Sequence, residues 1–474
     1  MASTFFGIEI GKRGLATAQQ ALNITSHNMV NAGTKGYTRQ VPIITASSPF
    51  PYPSFNGEAS AGQVGTGVEV VSINRIRDQL LDGQIYKETS TLNYWSSQSN
   101  MLDQIERTMN EPSDTGLAAT MSDFWTALQD LQNTAGDVPS RNTVIQKALT
   151  LTDYFRQTYS DLKDLRSNAD SQIKDSVKTI NEFAKQLADL NDQIGKVTIQ
   201  GDQPNDLLDQ RDMVLEQLSQ FADIRVSYDQ QDRVTVMLGG GTLVNNVHYN
   251  ELTTVTNPSD PAVSSVVWAG GENSATNQVS ISSGSIKSLL DIRDTTLPNL
   301  MQSLDALANT LRDVMNQQHK KGYDLDGNPG VDFFTGTGAA DIGVNVDIQN
   351  DSRKIAASAT GASDNGDNMK AMAGLFQTKL QFHAGTTTTT ATMIEFYTGL
   401  ITTLGIQSQN SQSRVTNQDL LVANLTGKRA SISGVSMDEE TSNMLIFNHA
   451  FDAASKVITT MDELLDVIIN HLQA

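Results

Sequence analysis

From Met444 onward, apolar or small residues recur at alternating steps of three and four: Met444, Phe447, Phe451, Ala454, Ile458, Met461, Leu465, Ile468 and Leu472. That spacing makes one face of a long helix and is the pattern of a helix packed lengthwise against another. The start is marked too. Ser436 stands three residues before Glu439, a capping-box spacing, and Asp438, Glu439 and Glu440 put negative charge where the helix dipole favours it. A lone amphipathic helix gains little stability in water, so this seam needs a partner. Near the other end, Ile8, Gly11, Leu15, Ala18, Leu22, Thr25 and Met29 repeat the alternation with smaller side chains. Complementary seams at opposite ends predict a chain that leaves one place and returns to it.

Between the seams the period changes several times. Residues 31–40 carry turn and helix-stop residues, then 41–75 is rich in proline and glycine, with Val68 to Ile73 the clearest strand. Helical spacing dominates from about 76 to 221. One helix carries Leu92, Trp95, Leu102, Ile105 and Met109 and breaks at Glu111-Pro112-Ser113; a second carries Leu117, Met121, Phe124, Leu128 and Leu131. A third starts near Ser140 and keeps its period past Ile194, well beyond the average globular helix, which points to a rod-like bundle. A fourth runs from Asn205 to Phe221. Alternation of period two then appears at Ile224, Val226, Val234, Val236 and Leu238, with a hairpin turn over 229–232. Residues 223–284 read as a small β module. Helix resumes at Gly284, a Gly/Asp loop follows over 322–330, Val344, Val346 and Ile348 alternate as a strand, and 367–382 and 390–428 read as helical. The threonines from 386 to 390 read as a solvated loop.

Composition narrows the function. At 474 residues the chain is too long for one ordinary core. A formal charge of −20 without any Lys/Arg cluster argues against nucleic acid and gives no pull toward anionic lipid. No window approaches a membrane span, so membrane insertion is not expected. The absence of cysteine removes disulfides, thiolate metal sites and thiol nucleophiles. The first residues lack the charged start and apolar block of a cleaved secretory signal.

Candidate chemistry is sparse. Asp324-x-Asp326-Gly327-Asn328 invites a calcium loop, but the glycine is fourth rather than sixth and residue 335 is Thr, so an Asx turn is expected. The six histidines show no i,i+3 or i,i+4 pairing, and no metal site is expected. Gly239-Gly240-Gly241 and Gly62-x-x-Gly65-x-Gly67 lack the lysine of a phosphate loop and read as turns. Glu439 and Glu440 are neighbours on a helix and point in different directions, so capping explains them better than acid–base work. Neither a catalytic constellation nor a cofactor site is expected.

Three stretches carry a family resemblance. Leu22-x-x-x-Ser26-x-Asn28-x-x-Asn31 with Thr34-x-Gly36-Tyr37-x-Arg39-Gln40 resembles the signature of flagellar axial proteins, with a junction-protein ending. Asn205 to Asp212 resembles an internal helix motif of the flagellar hook-associated proteins of the hook–filament junction, the FlgK type. Ser433-Gly434-Val435-Ser436 through Glu439 and Glu440, followed by the heptad helix, resembles their C-terminus. Gly33 and Lys35 depart from the residues common there, and the segment between Phe334 and Ala356 is short where many relatives carry a large insertion.

The resemblance implies a structural, non-enzymatic protein of the bacterial flagellum, exported by the type III route without a cleaved signal and located outside the cell. Implied partners are further copies of itself, the hook protein, the second hook-associated junction protein and an export chaperone holding the C-terminal helix. Hook, filament or second-junction proteins are the alternative within that class; a cell-wall hydrolase would need a paired-carboxylate cleft where the chain is short. The expected fold is mainly α and elongated, a long-helix bundle with terminal coiled-coil helices and an inserted β module. Its expected parts are an inner domain of 1–60 with 430–474, a helical rod of 61–222 with 285–429, and the module at 223–284.

Overall fold

The computed structural model describes residues 5–50, 64–258, 260–270 and 277–471. In chain order, helix α1 (Phe6–Val30) is followed by strands β1 (Gln40–Ala46) and β2 (Val68–Arg75), then α2 (Gln79–Met109), α3 (Leu117–Asn133), α4 (Val138–Ile199) and α5 (Asn205–Phe221). Strands β3 (Ile224–Tyr228), β4 (Val234–Leu238), β5 (Gly241–Asn245), β6 (His248–Tyr249), β7 (Leu252–Asn257) and β8 (Asp260–Trp268) come next. Then follow α6 (Ser285–Asp291), α7 (Leu297–His319), β9 (Phe334–Thr335), β10 (Gly343–Val344), α8 (Val346–Asn350), α9 (Asp367–Gly374), β11 (Leu380–Ala384), β12 (Thr387–Ala391), α10 (Met393–Ser433) and α11 (Met437–Asp466). The fold is mainly helical, with small antiparallel sheets.

Contacts divide the chain into two units. The first comprises 1–89, 180–251 and 419–474, the second 90–179 and 252–418. In the first, α1 lies on the β1–β2 hairpin, where the Thr17 hydroxyl donates to the Val68 carbonyl at 3.2 Å. The late part of α4 buries Ile180, Ala184, Leu187 and Ile194, and α5 buries Leu208, Leu215 and Leu218. Asn191 of α4 ties helix to sheet. Its amide donates to the carbonyls of Val234 and Asn246 (2.8 and 2.7 Å) and accepts the Val234 N–H (2.9 Å), so both halves of a buried amide are used.

In the second unit, Phe124, Phe333, Phe334 and Phe376 form a ring cluster with centroids 4.9–6.1 Å apart. The helix from Ser285 to His319 is continuous but widens to a π turn over Ile292–Thr296. Pro298 stands two residues past it; it lacks an N–H and crowds the carbonyl four residues back, inside the widened turn, which takes up both. That turn carries Arg293, whose guanidinium donates to Asp170 and the Ser264 carbonyl at 2.6 Å each.

Several local expectations change. The 223–284 segment is not one module: β3–β6 form a four-stranded sheet in the first unit, whereas β7–β8 form a separate hairpin in the second. Of the expected strand at Val344, Val346 and Ile348 only Val344 pairs, in β10 against Phe334; the Asn345 side chain then accepts the Asp347 N–H and caps α8, which takes up Val346 and Ile348. The helix expected over 367–382 ends at Gly374, and the threonine run is mostly strand β12, paired with Leu380–Ala384 across a turn at Gly385. Threonine is β-branched, and its strand propensity outweighs its polarity once a neighbouring strand supplies a ladder. The Asp324 loop is the Asx turn expected: its carboxylate accepts the N–H groups of Asp326 and Asn328, both at 2.8 Å.

His319 is fully buried. Its Nε2 accepts the Ala356 N–H at 2.8 Å, so the proton sits on Nδ1, which faces the Val331 carbonyl at 2.6 Å. Burial is the main cause that lowers its pKa from 6.5 to about 4. The sign follows from linkage. Between those values the unfolded chain takes up a proton that the folded chain refuses, so stability is full above pH 6.5 and is lost as pH falls toward 4. The loss is about 3 kcal/mol over the window. Unfolding free energies from urea titrations at pH 7.5 and 4.5 are expected to differ by most of that amount in the native chain. His319→Gln is less stable at pH 7.5 but loses this contribution to the slope; equal slopes for the two proteins would contradict it.

Candidate functional site

The three motifs singled out in the sequence meet in the first unit. Asn28, on the last turn of α1, is fully satisfied: its amide donates to the Gln40 carbonyl (2.8 Å) and to Glu440 (3.1 Å), and its oxygen accepts from the Gln40 N–H (3.0 Å) and the Tyr37 hydroxyl (2.7 Å). Asn31 and Thr34 close the intervening turn, Asn31 donating to the His27 carbonyl and Thr34 to Asn31. Gly36 sits at φ +84°, and a Cβ there would fall 2.3 Å from the Met213 sulfur, so position and conformation both require glycine.

The internal helix motif supplies the carboxylates. The Thr38 N–H donates to Asp209 (2.9 Å), Gln40 Nε2 to Asp206 (3.0 Å), and Asn205 Nδ2 to the Gln40 side chain and the Ile73 carbonyl (3.1 and 2.8 Å). Arg75 bridges Asp209 and Asp212 (2.5 and 3.0 Å), Arg77 pairs with Asp82 (2.7 Å), and Arg211 clasps Asp212 (2.7 and 3.0 Å). Burial pushes the Asp212 carboxyl up, but Arg211, Arg75 and Arg77 outweigh it and hold it below the ordinary carboxylate range. Tyr37 is pushed well above its usual value, first by burial and then by the charges of Asp206, Asp209 and Glu440.

The C-terminal motif closes the cluster. The Ser436 hydroxyl caps α11 by accepting the Glu439 N–H, as the capping-box spacing predicts. Arg39 then reaches both following carboxylates, Nε to Glu440 (2.7 Å) and Nη1 to Glu439 (2.6 Å), while its N–H donates to the Ser433 carbonyl. Gly434 and Val435 form the link, with the Gly434 N–H bonded to the Ala430 carbonyl. The acids and bases are spent on one another and on backbone, so the cluster's chemistry is adhesion between distant segments. The sequence assigns Glu439 and Glu440 to helix capping and to the C-terminal motif, without naming Arg39 and Asn28 as their partners. Sequence reasoning missed Arg75, Arg77 and Asp82 because nothing local marks them, whereas Glu440 had a signal: it stands four before Met444, a charge in line with an apolar seam.

Beyond the hub the terminal helices run antiparallel. Gly7 abuts Met461, Gly11 abuts Ile458 and the Ala454 carbonyl, Gly14 abuts Ala454, and Asn28 bonds Glu440. A Cβ on Gly11 would lie 2.7 Å from Ile458, so the backbones approach closely only because that position is glycine. Ala18, Ala21 and Thr25 continue the spacing and are buried, while Ile8, Leu15, Leu22 and Met29 are half-buried, so the contact face of α1 is turned toward its smallest residues. On α11 and the π turn that continues it over Val467–His471, Met444, Phe447, Phe451, Ala454, Ile458, Met461 and Leu465 are half-buried, Ile468 is exposed, and Leu472 lies outside the described residues. A second alternation follows the opposite side: Ile446, Ala450, Ala453, Val457, Thr460, Leu464 and Val467 are all exposed, Ile446 at 61% and Leu464 at 52%.

Paired terminal helices joined to an internal motif define an axial protein of the bacterial flagellum, and residues 428–471 match the family described as Flagellar basal body rod FlgEFG protein C-terminal. Residues 102–334 match Flagellar hook-associated protein FlgK helical domain. The chain is 32% identical to flagellar hook-associated protein 1 of Bacillus subtilis (strain 168), covering 100% of this chain and 99% of that one. It is 26% identical to the Escherichia coli (strain K12) protein of the same name, over 96% and 98%. The chain belongs to the flagellar hook-associated protein 1 family, a structural family of the flagellum. The fold agrees with a solved structure described as the flagellar hook junction protein FlgK from Burkholderia pseudomallei, at a TM-score of 0.65 and 18% identity over 74% of this chain and 100% of that one.

Proposed function

We propose that this chain joins hook to filament as a ring of copies whose terminal helices pack lengthwise against those of axial neighbours. The observation that carries the proposal is the two-sided character of α11: one heptad face meets α1, and a second, exposed along its length, remains available. An apolar stripe of that kind marks an interaction surface, and copies arranged around an axis meet head to tail rather than two-fold. The helix pair gains its full burial, and the order that goes with it, on assembly. Hook protein and the second hook-associated junction protein are the axial neighbours, with an export chaperone covering α11 before type III secretion through an uncleaved N-terminal region.

The chain has no cysteine, so one can be placed at will. Lys178 is exposed and pairs only on the surface, with Asp175. Lys178→Cys should therefore change stability by less than about 0.5 kcal/mol. Cells producing it, stained with a maleimide dye beside cells producing the native chain, are expected to show one focus where each filament leaves its hook. Label spread along the filament, or confined to the cell body, would refute the junction assignment.

A further inference from the structure

A heptad seam holds two helices together without fixing how far one is slid along the other, because a shift of seven residues returns apolar positions to apolar positions. Both faces here are tolerant of such a slip. If Met461 moved from Gly7 to Gly14, it would meet an equally small residue, and Ile458 would move from Gly11 to Ala18, again a small one. Gly434, Val435 and Ser436, outside both helices, link α10 to α11. Yet one alignment holds throughout. From Gly7 at Met461 to Asn28 at Glu440, each helix advances 21 residues (7 to 28, 461 to 440).

At one seam position the pairing is not apolar. Glu440 is 2% exposed, and its carboxylate accepts from Asn28 Nδ2 at 3.1 Å and Arg39 Nε at 2.7 Å. A slip of seven that carried Met461 to Gly14 would bring Phe447 opposite Asn28. Glu440 would leave both Asn28 and Arg39, and the Asn28 amide, keeping its bonds to Gln40 and Tyr37, would lose its partner on α11; unpairing a buried carboxylate is penalised heavily. We propose that Glu440, held by Asn28 and Arg39, is the register lock of the terminal helix pair. It selects one alignment among several that the apolar seam would accept, and the seam itself supplies the cohesion. A single buried polar group serves this purpose in coiled coils generally. The lock concerns the chain's own pairing and stands apart from its place in the flagellum, although it would give every copy its outer stripe at the same height.

Cysteine pairs read the register directly. A Cβ at Gly14 would lie 3.4 Å from the Ala454 Cβ, near the spacing of about 3.8 Å found in disulfides. Gly14→Cys with Ala454→Cys therefore reports the native alignment. Gly14→Cys with Met461→Cys stands two turns apart in that alignment, roughly 10 Å and out of reach, and reports the slip. With Glu440 intact only the first pair should oxidise. In the Glu440→Met background the two yields are expected to sum to about the original, with the slipped product raised at least about tenfold relative to the native one. Glu440→Asp, which keeps the charge, should restore much of the native preference. The lock is disproved if Glu440→Met retains the native product alone. It is also disproved if Glu440→Met abolishes both products, since Glu440 would then be cohesion rather than register.

Discussion

Asp212→Ala is expected to destabilise the first unit by about 3–5 kcal/mol, the cost of stripping one partner from a buried ion cluster. Three guanidiniums depend on that carboxylate. Arg211 is buried and would keep the Asp232 carbonyl and the face of the Tyr228 ring but no carboxylate from Asp212. Arg75 would fall back on Asp209, and Arg77 on Asp82. The loss is therefore a charge imbalance in a place where water cannot repair it, which separates it from surface pairs in the same chain. Asp175→Ala, which breaks the exposed pair with Lys178, should change stability by less than about 1 kcal/mol. Urea unfolding followed by the far-ultraviolet signal measures both; the three tryptophans all lie in the second unit and report on that unit alone. If Asp212→Ala and Asp175→Ala prove equally mild, the hub is ornament and not the joint between the three motifs. Replacing Arg211 and Asp212 together by Met and Leu provides the control, since removing both partners of a buried pair costs far less than removing one.

What could be seen in advance follows from the range of the forces involved. Helices with long apolar faces declare themselves over many residues, and so α4, α7 and α11 stand close to where their spacing puts them. The cap at Ser436 and the turn between β3 and β4 are equally local, each set by a few neighbouring residues. Strand β12 was not visible as a strand because five threonines and a following alanine carry no alternation. Their state depends on Leu380–Ala384 being alongside, which is a tertiary fact.

The hub shows the same division within one site. Asn28, Tyr37, Arg39 and Gln40 could be read as a motif, and so could Asn205 to Asp212, but nothing in either stretch says that Gln40 and Asn205 touch across 165 positions. Arg75 and Arg77 belong to a strand end whose local sequence is unremarkable, and only the fold supplies their carboxylates. Glu440 is the instructive residue. Beside Glu439 it reads as dipole compensation, and only its distance from Met444 reveals that it occupies the seam. Local rules explain its charge, and the seam explains its burial.

Phe451→Asp and Leu465→Asp are expected to abolish incorporation at the junction while leaving the second unit folded. Both positions lie on the half-buried face of α11, in step with Ala454, Ile458 and Met461. A carboxylate forced into that face must either be desolvated, at a cost of roughly 2–3 kcal/mol without a partner, or swing the helix away from α1. A pair whose other side is still open has little stability to spare against that cost. The second unit has its own core, with Phe124, Phe333, Phe334 and the helix from Ser285 to His319. In the Lys178→Cys background the maleimide focus should vanish for both variants. Limited proteolysis of the purified chains should still release a resistant fragment containing the helical domain of residues 102–334. Wild-type foci in either variant would mean that α11 is not the surface by which copies assemble, whatever its spacing.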